Sequence, residues 1–378
     1  MKRHQLTFLM LLTFISGANA QTLTGKLGSP NNFNKVIDSA KVNFKMIGTE
    51  QSGDLNKSSV LNSSLGLSAK GSIFQNTEVI FDGSLYFSSG STSSVYDNNR
   101  LTERNGTSLK NAYIHYNYQD LLSLKAGAIN QREQENLIVV GRKAFLGAKE
   151  TLSFNLFDLK VTMNATQTRA RSESSKEGLG NLDEGSPLFM RESISLETIN
   201  DYIGLKVIVG HFAYDNLSND VAYNSQFHGN TVSGYTKTNS EFDYNYVGWD
   251  YKLEASASLN HNLSVGAGVS YVINQGAPDS KNRGSALIGS TKYTSGDWTY
   301  KVTYNKLNIQ SDTAPALYLN MAQTPNTTSD SLELTALNIS SDFELRLFYQ
   351  NSKPLEQNFY QDNNQIIQLE LRKGYEIF

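Results

Sequence analysis

From Tyr244 to Ile273 apolar and polar residues alternate in two runs with a turn between them. Val247, Trp249, Tyr251, Leu253, Ala255, Ala257 and Leu259 share one parity; Gly248, Asp250, Lys252, Glu254, Ser256 and Ser258 share the other. After Asn260-His261-Asn262, the residues Leu263, Val265, Ala267, Val269 and Tyr271 alternate with Ser264, Gly266, Gly268 and Ser270. Successive side chains of a strand point to opposite faces, so each run has one apolar and one polar face. The intervening turn predicts an antiparallel hairpin. Both runs exceed the roughly 5–6 residues usual in soluble proteins. They match the roughly 9–11 tilted residues that cross a bilayer. Such a hairpin fits two staves of a barrel, with lipid on one side and water on the other.

The N-terminus reads as an address. Lys2 and Arg3 precede a mostly apolar stretch, Leu6–Ile15, and Ala18-Asn19-Ala20 has the small-x-small form of a signal-peptidase site. We expect residues 1–20 to be a cleaved signal peptide and 21–378 to be the mature chain. Losing Lys2 and Arg3 takes the formal charge from −3 to −5. That mild acidity does not suggest nucleic-acid binding. No cysteine is present, so disulfides, thiolate metal sites and lipid attachment to cysteine are excluded.

No stretch after residue 20 approaches the roughly 18 apolar residues of a membrane helix; the longest aliphatic run is Leu137–Val140. A chain that spans a membrane without helices must close into a barrel, because every backbone group in lipid needs an internal partner. Similar alternation extends from about Val36 to the C-terminus, with no linker-like segment, which predicts one domain. The pattern predicts about 16 strands, 14 and 18 being the alternatives. Short joins alternate with long ones, as in outer-membrane barrels with short periplasmic turns and long external loops. Segments 88–107 and 213–241 read as loops, the latter the longest. A soluble β-sandwich or propeller also alternates. Strand length, loop asymmetry and aromatics near strand ends (Tyr116, Tyr118, Tyr271, Trp298, Tyr349 and Tyr375) favour the membrane barrel.

In these features the chain resembles a Gram-negative outer-membrane porin, over its whole length after residue 20 and by pattern more than by motif. The resemblance implies an all-β transmembrane antiparallel barrel, a water-filled channel, no cofactor and no catalysis. It also implies small hydrophilic solutes as cargo, outer-membrane lipid as surroundings, barrel-assembly machinery during biogenesis and a homotrimer. The terminal Phe378 would belong to the assembly signal. It departs from the usual pattern, because its parity carries Glu376, Gly374, Arg372 and Glu370. Either it lies beyond the last pairing or a bulge near Gly374 shifts the phase.

In such porins the third long loop narrows the lumen. Here that loop is 130–143, and its constriction candidates are Arg132, Glu133, Glu135, Arg142 and Lys143. Its Leu137–Val140 would be buried if packed on the inner wall. Polar-parity residues predicted to line the lumen are Lys125, Lys149, Lys160, Lys206, Lys252, Glu254, Lys301, Glu344 and Arg346, with Asp250. Separated basic and acidic walls would sort solutes by charge; a water-filled wall is polar in any case. Glu150 falls on the lipid parity, and a local bulge would account for it.

Two other functions stay open at this stage. One is a closed barrel with a structural or adhesive surface role. The other is a barrel hydrolase using His115 or His211. The histidines have no H-x-x-x-H spacing and no G-x-S-x-G is present, so neither zinc nor nucleophile-elbow chemistry is supported.

Overall fold

The computed structural model describes residues 37–94, 104–131, 136–171, 186–198, 200 and 202–377. Sixteen antiparallel strands close into one barrel. In chain order they are β1 (Ser39–Gly53), β2 (Asn56–Phe74), β3 (Thr77–Ser94), β4 (Arg104–Tyr118), β5 (Leu122–Asn130), β6 (Ala144–Leu156), β7 (Leu159–Arg169) and β8 (Leu188–Thr198). There follow β9 (Ile203–Asp215), β10 (Tyr246–Ser258), β11 (Leu263–Asn274), β12 (Arg283–Ser295), β13 (Trp298–Ile309), β14 (Thr327–Asn338), β15 (Phe343–Pro354) and β16 (Asn364–Glu376). Each strand pairs with its sequence neighbours, and β1 closes the ring on β16. The opening hairpin of the sequence argument is β10–β11, with Tyr251 opposite Tyr271.

The two parities of each strand become the two faces of the wall. Phe44, Leu65 and Leu85 lie in one register row and are 43–51% exposed. So large an exposed apolar surface suits lipid, not water. Inward positions over the half of the barrel nearer the short turns are mostly Ser, Thr, Gly, Asn, Lys, Arg, Asp and Glu, with Ile80 and Tyr113 among them. The apolar band is thus outside and the polar lining inside.

Tight turns join the even strands to the odd ones that follow. Gln119 and Asp120, between β4 and β5, both take left-handed φ values of 51° and 56°. That conformation suits the right-handed twist of a hairpin. The long joins follow odd strands, with one exception: only Asp54 and Leu55 separate β1 from β2.

Several sequence expectations are corrected here. Residues 88–94 and 104–107 are strand, not loop: β3 runs to Ser94 and β4 begins at Arg104, and β2 is longer still at 19 residues. Beyond the bilayer both faces meet water, so pairing continues while apolar alternation stops. Pro354 ends β15. The pairings on both sides of Glu150, with Leu124 and with Ala165, run without a register shift, so no bulge turns it inward. The pairings of β16 are also unshifted through Gly374, which removes the bulge proposed there; Phe378 itself lies outside the described residues. The loop 213–241 is partly ordered into β9's end, helix α1 (Asn219–Gln226) and a two-residue ribbon, Val232–Ser233 against Glu241–Phe242.

Candidate pore and its mouth

The strand register places all nine lumen candidates on the inward face, opposite the Leu, Phe and Tyr side chains. The charges come as neighbouring pairs, not as separated walls. On β14, β15, β16 and β1, Arg346 bonds Glu333 at 2.6 Å and approaches Glu370 at 3.4 Å. Arg372 reaches Glu344 at 2.9 Å and Asp342 at 3.5 Å. Lys45 bonds Glu370 at 2.7 Å, and Lys41 pairs with Asp342. Four basic residues and four acidic ones therefore balance on one arc of the wall. Elsewhere Lys252 bonds Glu254 at 2.8 Å and Lys206 lies 3.8 Å from Glu197. Lys125 and Lys149 face each other across β5 and β6, with the Lys125 ammonium 5.2 Å from the Tyr113 ring centre. Lys160 and Lys301 are exposed on the inward face.

The inward wall of β9–β12 near the short turns carries small residues between Lys206, Glu254 and Ile288. Gly204, Ser256, Gly266, Gly268 and Ser290 border a groove of about 280 Å³. Higher on the same side, Asp250 of β10 holds Arg191 of β8 by two bonds of 2.8 and 2.9 Å, both side chains almost fully buried. Gly210 of β9 lies beneath; a Cβ there would come within 2.5 Å of the Asp250 carboxylate and 2.8 Å of the guanidinium. Asp250 was legible by parity. Arg191 was not singled out, because nothing local marks its partner 59 residues away.

The third of the joins that follow odd strands, after β5, carries its aliphatic run against the inward wall. Ile138, Val139 and Val140 are at most 2% exposed. They cluster with Phe145, Phe189, Phe212, Tyr214 and Ile309, all inward-facing near the long-loop ends of their strands, and with Tyr318 of the loop after β13. Burying each such aliphatic side chain contributes about 1.5–3 kcal/mol. The Tyr214 hydroxyl donates to the Val139 carbonyl at 2.9 Å, and Gly141 N–H donates to the Tyr318 carbonyl at 2.8 Å. Gly284 lets the loop approach, since a Cβ there would meet Ile138 at 2.8 Å. Arg142 and Lys143 are exposed; the Arg142 backbone N–H donates to Asn320 Oδ1 at 3.0 Å. Arg132, Glu133 and Glu135 lie outside the described residues.

A second tie joins the loop after β9 to the loop after β13. Asp312 is fully buried and accepts from Thr231 N–H at 2.9 Å, Thr231 Oγ1 at 2.6 Å and Ser311 Oγ at 3.0 Å. Burial raises its pKa above the usual carboxylate value; the hydrogen bonds and nearby Lys281 oppose that. Beside these packed loops the mouth keeps a cavity of about 750 Å³, bordered by β1–β3, β14–β16 and α1.

Near the short-turn end, Glu78, His115 and Ser123 line up on β3, β4 and β5. His115 Nε2 is 2.9 Å from Ser123 Oγ, and Nδ1 is 3.5 Å from Glu78. Glu78 also bonds Lys70 at 2.7 Å. An acyl-transfer site needs free donors for the oxyanion. Ser123 is paired on both sides, with Asn117 and Thr151, so its backbone N–H belongs to the ladder. His211 instead faces outward, 5.0 Å from the Trp249 ring. Among the described residues no group of three or more His, Asp or Glu could hold a metal.

No family model and no curated protein sequence matches the chain. Solved structures do. A high-pH structure of Pseudomonas putida OprB matches at 14% identity and a TM-score of 0.56, covering 91% of this chain and 96% of that one. The low-pH structure of the same protein gives 9% identity, a TM-score of 0.51 and coverages of 91% and 94%. Pseudomonas aeruginosa OccK7 gives 9%, 0.50, and coverages of 92% and 100%. A closed sixteen-strand barrel, apolar outside and polar within, is thus matched along nearly its whole length by outer-membrane porins, and the chain has the porin fold.

Proposed function

We propose that this chain is an outer-membrane porin that passes small hydrophilic solutes and ions by diffusion, without cofactor or catalysis. One observation carries the reading: toward the short turns the inward face of the closed sixteen-strand ring is mostly polar, and a groove there is bordered by Gly and Ser residues together with Glu197, Lys206 and Glu254. Sixteen strands enclose enough width for an aqueous channel. The exposed Leu, Phe and Tyr belt supports a lipid-embedded ring. Export through a signal at residues 1–20, assembly through Phe378 and a homotrimeric state belong to the same proposal, as does a constriction at the third loop with Arg142 and Lys143. The balanced ion pairs favour weak charge selectivity.

Single-channel recording of refolded 21–378 in a planar bilayer tests this. Discrete openings with a small reversal potential in a salt gradient are expected. A folded barrel that never conducts would instead favour the structural surface role, to which the packed mouth loops lend some support. The hydrolase reading rests on Glu78, His115 and Ser123. Turnover of a short-chain nitrophenyl ester that disappears in Ser123→Ala would establish it; we expect none.

A further inference from the structure

One register row on the outside of the barrel interrupts the apolar belt. Glu150 of β6, Ala165 of β7, Glu192 of β8, His211 of β9 and Trp249 of β10 stand opposite one another in succession. Glu192 lies within the belt and not at its rim: Leu188 and Met190 precede it on the outward parity, and Ile194 and Leu196 follow. Its side chain is exposed and has no hydrogen bond or ion pair among the described residues. His211 has none either; its ring meets Trp249 edge-on at 5.0 Å. Half the ring separates β8 and β9 from β16 and β1, where the barrel closes. There the belt is aliphatic: Leu334, Leu347, Leu369, Gly48 and Leu61 form a row from β14 round to β2.

A charge on the lipid face of a barrel is destabilising, and an ionisable side chain inside a membrane calls for a partner. Lipid tails supply none. A carboxylate accepts hydrogen bonds and an imidazole N–H donates one. Directly opposite residues of neighbouring strands have Cβ atoms about 4.5–5.5 Å apart, so Glu192 and His211 present an acceptor and a donor side by side. Copies of one membrane protein sit at the same height, related by rotation about the membrane normal. Such a rotation carries the β8 edge of this patch in one copy to the β9 edge in the next, and so a carboxylate to an imidazole. The surroundings are small. Ala165 stands opposite Glu192, Ala213 lies two residues beyond His211, and Ala148 pairs with Ala126 on the same face. Small side chains let the walls of two membrane proteins approach closely.

We propose that the outer wall of β7–β10 is a contact surface for a second copy of this chain, with Glu192 of one copy bonded to His211 of the next. The inference deepens the homo-oligomeric part of the porin reading and rests on that reading for the lipid around the wall. It puts the contact on the side of the ring away from the β16–β1 closure. The Glu192 carboxylate then meets a donor in place of lipid tails, and Trp249 flanks the imidazole on the β10 side. Glu150 stands two strands from Glu192, between Leu124 and Ala165 with no donor opposite, and stays outside the contact.

The test uses the full refolded chain in lipid vesicles, labelled with donor or acceptor dye at an added terminal cysteine, since the chain has none of its own. Energy transfer reads association as the protein is diluted in lipid. Wild type is expected to associate. Glu192→Leu and His211→Leu should each raise the dissociation constant about ten-fold or more, the loss that follows truncation of one partner of a hydrogen-bonded charge pair at an interface. Mixing the two variants should recover part of the association, because each supplies the group the other lacks. Ala165→Trp should weaken association by bulk, and Leu369→Ala, on the closing side of the ring, should leave it unchanged. Heat-modifiability on a gel shows that each variant is folded. A monomeric wild type, undiminished association of Glu192→Leu, or a larger loss in Leu369→Ala would overturn the proposal. So would a mixture that recovers nothing, which would mean that the two side chains pair within one copy. Single-channel recording separates this inference from the porin reading. Dispersed wild-type copies that conduct would uphold the channel and overturn the contact; associated copies that never conduct would do the reverse.

Discussion

Arg191 crosses over Gly210 to grip Asp250 with two hydrogen bonds, tying β8 to β10 across the strand between them. Removing one partner of a buried ion pair leaves the other charge unpaired, at a cost of about 3–5 kcal/mol. Asp250→Ala should therefore lower the unfolding free energy by about that amount. Gly210→Val should act in the same direction, because its side chain would occupy the crossing. Urea unfolding in lipid vesicles, followed by tryptophan fluorescence, measures both.

Val139 holds the third loop to the wall through full burial and through its carbonyl, which accepts from Tyr214. A carboxylate cannot remain there unpaired. Val139→Asp should release the loop and raise single-channel conductance and current noise, with the barrel still heat-modifiable on a gel. Unchanged conductance would remove the loop from the constriction.

Arg346 is shared by Glu333 and Glu370 on the balanced arc. Arg346→Ala leaves one uncompensated negative charge facing the lumen. The reversal potential in a potassium chloride gradient should move toward cation preference, and Glu333→Gln in the same chain should bring it back.

Glu150 stands on the outward face between Leu124 and Ala165. Charged side chains on the lipid face of a barrel destabilise it, Lys and Arg by about 2–4 kcal/mol at the midplane and acids by less. Glu150→Leu should stabilise the folded barrel in vesicles by about 1–2 kcal/mol. A destabilised variant would instead mean that the carboxylate meets a polar partner at the barrel surface.

Asp312 ties the loop after β9 to the loop after β13, and burial raises its pKa above the ordinary 3.8. The folded state then takes up its proton first as pH falls. This group's contribution to stability therefore rises on acidification and falls as pH climbs from 3.8 through the raised value. Hydrogen exchange of residues 219–242 should show protection kept or increased between pH 7 and pH 5. Asp312→Asn should remove that dependence.

The sequence by itself determined the architecture: a period of two, sustained over sixteen segments, leaves only a closed antiparallel ring once one face must meet lipid. It also determined which side of the wall each residue of a strand takes, since parity needs only the local chain; Lys252, Lys301 and Arg346 were placed inward on that basis. The lengths of β2 and β3 were hidden, because above the bilayer both faces are polar and alternation carries no signal. Parity could not show which inward charges pair, because partners are chosen by register and closure. Lys41 meets Asp342 only because β1 closes on β16. The mouth was likewise decided by tertiary structure. Tyr223, Phe227 and Tyr360 come from two loops and Gln350 from a strand, and only the folding of those loops over the ring brings them to one cavity.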